Sequence, residues 1–216
     1  GSNQTKNAQF TQTGTAIDVN AMTYQWAKQS GPGTVTFGTA TALATTISAS
    51  ADGTYIIRLT ATDEAGNSAY NDMTLTWDTT SPTITGATST TADGQYKAGG
   101  AINVTLNFSK AVASTGLTIN LNSGASLTTG ALSIQSGWSG TYTVGAVQTS
   151  ADLSISTITG TITDAAGNST SNPTIPAGQN IADSKAIVVD TTAPIVSAGS
   201  NQTKNAQFTQ TGTAID

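Results

Sequence analysis

Short stretches in which apolar and polar residues alternate recur along the chain, and Gly, Asn, Asp and Pro separate them. Residues 55–63 carry an apolar side chain at every odd position up to Ala61, and Met73, Leu75 and Trp77 repeat this spacing. Because successive side chains of a strand point to opposite faces, each stretch predicts a strand with one buried face. Further core candidates are Tyr24, Trp26, Val35, Phe37 and Ile47. No stretch has a convincing helical period, so the pattern predicts an all-β fold.

The same alternation continues in the second half of the chain, at residues 102–108 and 117–121. Each half ends on an Asp-Thr-Thr-x-Pro string, at Asp78–Pro82 and at Asp190–Pro194. Proline has no backbone donor and keeps its predecessor extended, so it ends a sheet and stiffens the link that follows. At 216 residues the chain has room for two domains of about 100 residues each. We therefore expect tandem immunoglobulin-like β-sandwiches at 1–79 and 80–192, joined by a short Pro-containing linker, in a rod rather than a flexible string.

One segment of the chain occurs twice. Gly1–Asp18 and Gly199–Asp216 are identical at all eighteen positions, which sets a period of 198 residues. This period far exceeds the ~20–50 residues of solenoid repeats, so the repeating unit is a block of whole domains. We expect a longer tandem array, with 193–216 forming the linker and first strands of the next copy.

The duplicated segment also suggests a mechanism of assembly. Phe208 and Ile215 repeat Phe10 and Ile17, and strands with apolar side chains but no sandwich of their own seek a free edge. One hypothesis is that they pair with a neighbouring molecule, replacing its residues 1–18, and build a head-to-tail homopolymer. The alternative is that the second copy has no role in assembly.

Composition excludes several function classes. The chain has no Cys and no His, so most nucleophilic triads, thiol chemistry and zinc sites cannot be assembled, and we expect no enzyme. Six Lys and one Arg are scattered singly in a chain of net charge −5, which argues against nucleic-acid binding. No apolar run approaches the ~20 residues of a membrane-spanning helix, so we expect no membrane insertion in this segment.

Two strings in the first half resemble a known family. MTYQWAKQSGPG at residues 22–33 and ADGTYIIRLTATD at residues 51–63 look like a PKD-type immunoglobulin-like repeat, and the resemblance covers residues 1–78. In the second half, residues 91–112 and GTITDAAGN at 160–168 are similar to the longer Ig-like repeats of giant bacterial adhesins. The resemblance implies a seven-stranded first sandwich, a non-catalytic spacer function and an extracellular or bacterial cell-surface location.

Two hairpin tips share the pattern Asp-x-x-Gly-Asn, at 63–67 and at 164–168. One interpretation is a plain turn, since Asp opens a type I turn and Gly supplies the left-handed residue that closes it. The other is an interdomain calcium site, because Ca²⁺ takes six to eight oxygen ligands and the adhesin resemblance implies calcium at such joints. Its ligands would be Asp52, Asp78, Asp164 and Asn168. Lys110 is expected near the same joint, where its ammonium group could neutralise Asp78 or Asp164 in place of a metal.

The sequence thus favours a structural spacer of a long surface or secreted protein, either an adhesin stalk or a surface fibre. Its partners are then neighbouring repeats of the same protein. The alternative function is a carbohydrate- or protein-binding module, for which Trp77, Trp138 and Tyr142 could line an aromatic surface.

Overall fold

A computed structural model describes residues 2–205 and 207–215, and in this part of the chain strands are the dominant regular structure. The first half contains seven strands. They are β1 (Gln4–Lys6), β2 (Phe10–Thr13), β3 (Met22–Ser30), β4 (Val35–Phe37), β5 (Ala44–Ala49), β6 (Gly53–Asp63) and β7 (Ser68–Trp77).

These seven strands form two sheets, in the orders β1-β7-β6-β3 and β2-β5-β4. Strand β1 runs parallel to β7, and the other neighbours are antiparallel. The buried core lies between the sheets and contains the residues that the alternation predicted. They are Trp26, Ile47, Tyr55, Ile57, Leu59, Met73, Leu75 and Trp77. The predicted seven-stranded sandwich is therefore confirmed for the first half.

The second half contains ten strands and one short 3-10 helix at Ile181–Asp183. The strands are β8 (Ile84–Thr88), β9 (Gly94–Tyr96), β10 (Ala101–Ser114), β11 (Thr118–Leu121), β12 (Ser126–Thr128), β13 (Leu132–Thr143), β14 (Ile155–Thr159), β15 (Thr161–Asp164), β16 (Ser169–Ser171) and β17 (Ile187–Val189).

Strand β10 organises the second half. It pairs with β13 from Ala101 to Ser114, with a register shift after Asn107, and it pairs with β8 at residues 105–108 and with β15 at residues 112 and 113. A second sheet has the order β12-β11-β14, and β17 pairs with β9 in parallel. The inner faces enclose a second core, which the predicted alternating residues enter. On β10, on β11 and just before β11, Ile102, Val104, Leu106, Phe108, Leu117, Ile119 and Leu121 are all buried.

The two hydrophobic cores share no residue, and the chain between them is the predicted Pro-containing link. The all-β class with tandem sandwiches is thus confirmed. The domain boundaries after residues 79 and 192 stay proposals. Within the described residues, no helix is long and apolar enough to cross a membrane.

The two copies of the duplicated segment fold differently. In the first copy Phe10–Thr13 forms β2, which pairs with β5. In the second copy the strand is β19 (Thr213–Ile215), which pairs antiparallel with β18 (Ile195–Ser197). We expected the second copy to carry the same strands as the first. It differs because Ile195–Ser197 is the only partner that the described chain pairs with it, whereas β2 has β5 and a core beneath it.

Candidate functional site

The hairpin tip between β15 and β16 is built by one carboxylate. The Asp164 Oδ1 atom accepts hydrogen bonds of 2.9 Å from the backbone N–H groups of Ala166, Gly167 and Asn168. The Asn168 side-chain amide donates to the other oxygen at 3.0 Å. Gly167 has φ +97°, a left-handed conformation that residues with a Cβ rarely adopt. The turn interpretation therefore explains the spacing of the Asp-x-x-Gly-Asn pattern.

The tip between β6 and β7 has the same local structure. The backbone and side-chain N–H groups of Asn67 each donate to the Asp63 carboxylate at 2.8 Å, and Gly66 has φ +90°. The surroundings differ. Asn67 is exposed, whereas Asp164 and Asn168 are only 6% and 8% exposed. The second tip is thus a buried version of the first.

The second tip is buried because it packs against the exit of the first sandwich. The Asn168 side-chain amide donates to the backbone oxygen of Asp78 at 2.8 Å. Its Oδ1 atom accepts a hydrogen bond of 3.2 Å from the side chain of Asn7, which follows β1. One asparagine therefore contacts two segments of the neighbouring sandwich.

Lys110, on β10, occupies the centre of this joint. Its ammonium group lies 2.7 and 2.9 Å from the two carboxylate oxygens of Asp78, 2.6 Å from the backbone oxygen of Thr80 and 3.2 Å from Asp164 Oδ2. One cation thus bridges an acid of the first sandwich, the linker and an acid of the second sandwich.

These contacts shift the pKa values of Lys110 and Asp164. Burial by itself would lower the pKa of Lys110, but the hydrogen bonds to Asp78 and Asp164 outweigh it and the pKa is raised. Burial would raise the pKa of Asp164, but the donors of Asn168 and the Lys110 ammonium outweigh it and the pKa is lowered. Both groups are therefore held in their charged forms, as an ion pair requires.

Asp52 holds the linker on the side of the first sandwich. One of its oxygens accepts from the backbone N–H and the hydroxyl of Thr79, at 2.9 and 2.8 Å, and the other from the Thr80 hydroxyl at 2.9 Å. The hydrogen bonds from Thr79 lower the pKa of Asp52. The two threonines of the Asp-Thr-Thr-x-Pro string thus act as donors that fasten the linker.

The four residues expected as calcium ligands do not converge on one point in this arrangement. Asp78, Asp164 and Asn168 meet at the joint, but Lys110 lies between the two carboxylates, and Asp52 is engaged by the linker threonines. Among the described residues, no group of three or more acidic side chains is arranged to hold a metal ion. The described geometry places an ammonium group between the two carboxylates. Calcium binding stays an untested prediction.

Sequence reasoning had placed Asp78, Asp164, Asn168 and Lys110 at this joint, and it missed the donors Asn7, Thr79 and Thr80. The signal for the threonines is the repeated Asp-Thr-Thr-x-Pro string, whose predicted effect on the sheet and the link rests on its proline alone. Nothing in the sequence around Asn7 indicated a contact with residue 168.

The aromatic residues considered for carbohydrate binding do not form a surface patch. Trp77 and Tyr142 are 6% and 3% exposed and belong to the two cores, and Trp138 is half-buried against the second core. The alternative binding function has no support from these three side chains.

Replacing Lys110 by Met should weaken the joint. The Lys110→Met variant leaves two carboxylates facing each other without a cation, and we expect the free energy of unfolding to fall by about 1–2 kcal/mol, because the pair is partly exposed to solvent. The measurement is urea-induced unfolding at pH 7, with Lys97→Met as the control at an exposed lysine. Equal stability of the two variants would contradict a role of Lys110 in the joint.

Comparison with known proteins agrees with the sequence interpretation of the first half. Residues 3–77 match the family model described as K319L-like, PKD domain, which covers about a third of the chain. The predicted resemblance to PKD-type repeats is confirmed there. No curated protein matches the chain.

Similar solved structures include a PKD domain and a tandem repeat. A PKD domain from the KIAA 1837 protein shares 23% identity, with a TM-score of 0.33, over 36% of this chain and 81% of that one. A tetra-tandem repeat in the extending region of a large adhesion protein shares 18% identity, with a TM-score of 0.34, over 88% of this chain. The chain spans about half (47%) of that second structure.

Proposed function

We propose that this chain is a non-enzymatic spacer of a long cell-surface or secreted protein, in which successive β-sandwiches are held end to end. The observation that carries the proposal is the joint, where Lys110 bridges Asp78 and Asp164 while Asn168 contacts the exit of the first sandwich. A spacer has to resist bending at its joints. At this joint, polar contacts from three segments restrict bending between the two sandwiches.

The linker contributes to the same stiffness. Asp52 fixes Thr79 and Thr80 from one side, and Thr170 donates its hydroxyl to the Pro82 backbone oxygen from the other, at 2.6 Å. Few linker residues are left free to change their backbone angles, and proline limits its own φ. The two sandwiches should therefore move as one body.

The period of 198 residues supports an array, since an identical segment opens the next copy. The partners of the chain are then neighbouring repeats, and each period adds about 80 Å of length, if a sandwich is about a dozen residues long at ~3.3 Å each. An adhesin stalk or surface fibre with an extracellular location is the context that we propose. Head-to-tail assembly of successive copies belongs to the same proposal.

Small-angle X-ray scattering tests the spacer function. We expect residues 1–192 to scatter as an elongated rigid body about 80 Å long, with the same profile in calcium and in chelator, because the Lys110 ammonium already lies between the two carboxylates. Lys110→Met should broaden the distance distribution, and Lys97→Met should not. A wild-type profile typical of two freely jointed bodies would overturn the proposal, and stiffening only in calcium would show that the metal performs the function assigned to Lys110.

A further inference from the structure

The tripeptide Thr-Ala-Ile occurs in two different environments. As Thr213–Ile215 it forms β19, which pairs with β18 in the register Ile195↔Ile215, Val196↔Ala214 and Ser197↔Thr213. As Thr15–Ile17 it follows β2 without belonging to a described strand, and Ile17 is 98% exposed. An identical tripeptide sequence is therefore paired in one place and unpaired in the other.

The open copy lies at the edge of a sheet. In the order β2-β5-β4, β2 is the edge strand. Just after β2, the Gly14 N–H donates to the backbone oxygen of Leu43, the residue before β5, at 2.9 Å, so the pairing of the two segments continues past the end of β2. The backbone of residues 15–17 continues from this edge. Free strand edges present unpaired N–H and C=O groups, which bind an added strand.

A groove with both polar and apolar lining residues lies beside this edge. Residues 15–18 line a cavity of about 430 Å³ together with Met22, Leu59 and Tyr70 of the first sandwich. Strand β18 presents apolar side chains to solvent, since Ile195 and Val196 are 74% and 73% exposed. An exposed apolar strand and an open groove beside a free sheet edge are thus both present on each copy.

We propose that Ile195–Ser197 of one copy adds as an antiparallel strand to Thr15–Ile17 of a second copy of this chain. The register is the one already formed inside the chain, with Val196 opposite Ala16 and Ser197 opposite Thr15. The inference deepens the proposed spacer function, because it joins consecutive copies in the head-to-tail direction. It differs from an exchange of residues 1–18, since the acceptor keeps its own β1 and β2.

The duplicated segment then acts as a competitor. Thr213–Ile215 occupies Ile195–Ser197 within its own chain, and an intramolecular partner has a high effective concentration. Proline at position 214 would remove a backbone donor in the middle of β19 and should release β18. The equivalent acceptor in the neighbouring copy would remain intact.

Disulfide trapping tests the register. Because the chain has no cysteine of its own, only the introduced cysteines can form disulfides. Directly opposed residues of two antiparallel strands have Cβ atoms about 4.5–5.5 Å apart, close to disulfide geometry. Full chains carrying Val196→Cys with Ala214→Pro are mixed with chains carrying Ala16→Cys with Ala214→Pro under mild oxidation. We expect a disulfide-linked heterodimer. Its yield should be several-fold lower when the Val196→Cys chain keeps Ala214, because Thr213–Ile215 then still pairs with Ile195–Ser197.

The matched control is Val19→Cys, which is as exposed as Ile17 but lies outside the register. Because Ala16 is half-buried, Thr15→Cys with Ser197→Cys repeats the test at two exposed positions. Yields at positions 15 and 16 that do not exceed the yield at position 19, or no heterodimer at all, would overturn the inference. Scattering from residues 1–192 lacks the donor strand, so that test of the spacer function succeeds or fails independently.

Discussion

Asp164→Ala should lower the free energy of unfolding of the second sandwich by about 3–5 kcal/mol. The Asp164 carboxylate is 6% exposed and accepts from three backbone N–H groups, from the Asn168 amide and from Lys110. Removing it leaves these donors without a partner in a buried place, and an unsatisfied buried group costs about 1–3 kcal/mol. Calorimetric or urea-induced unfolding of the full chain measures the effect.

The chain supplies its own control for this prediction. Asp63→Ala removes the equivalent turn-forming carboxylate, which accepts from the backbone and side-chain N–H groups of Asn67, but water can replace it there because Asn67 is exposed. We expect a much smaller loss of stability in the first sandwich. If both variants lost equal stability, the turn alone would explain the effect, and docking of the second tip at the joint would contribute nothing.

Tyr55→Phe should destabilise the first sandwich by about 2–3 kcal/mol, since two partners of the hydroxyl lose their hydrogen bond. The Tyr55 ring is fully buried, its hydroxyl donates to the Ala51 oxygen at 2.6 Å, and it accepts from the Gly33 N–H at 3.1 Å. This side chain thereby ties the start of β6 to the turn before β4. Urea-induced unfolding followed by tryptophan fluorescence reports on it, because Trp26 and Trp77 lie in the same core.

Tyr96→Phe is the matched comparison. The strings Ala-Asp-Gly-x-Tyr at 51–55 and 92–96 are alike, and the Tyr96 hydroxyl also donates to an oxygen four residues earlier, that of Ala92, at 2.8 Å. That hydrogen bond is exposed, so water can take the place of the hydroxyl, and we expect a loss of about 0.5–1 kcal/mol. A Tyr96→Phe loss as large as that of Tyr55→Phe would show that burial of the hydrogen bond is not the deciding factor.

The strands were predictable because their signal is local. Alternation placed Tyr55, Ile57 and Leu59 on one face of β6, and all three are buried in the structure. The period of two follows from backbone geometry alone and needs no knowledge of the partner strand. The same holds for the turns at the Asp-x-x-Gly-Asn tips, because the hydrogen bonds that close each turn lie within five consecutive residues.

Most residues of the candidate site could be predicted from the sequence, but the chemistry that holds them together could not. The order of strands in a sandwich brought Asp78 and Asp164 to one joint, but the sequence left calcium and the Lys110 ammonium as alternatives. Distances of 2.7–3.2 Å from Lys110 to both carboxylates favour the ammonium. Asn7 could not be predicted, because its contact depends on how two sandwiches meet, 161 residues apart in the chain.

The sequence by itself determined the alternating faces, the turns and the repeat of 198 residues, since each depends on neighbouring residues or on identity between segments. Only the tertiary structure decided which residues of the duplicated segment form a strand in each copy. The same Phe-Thr-Gln-Thr forms β2 beside β5 in the first copy, whereas in the second copy Thr213–Ile215 forms the strand instead. A strand is stabilised by the partner that satisfies its backbone and covers its apolar face, and identical sequences with different partners therefore fold differently.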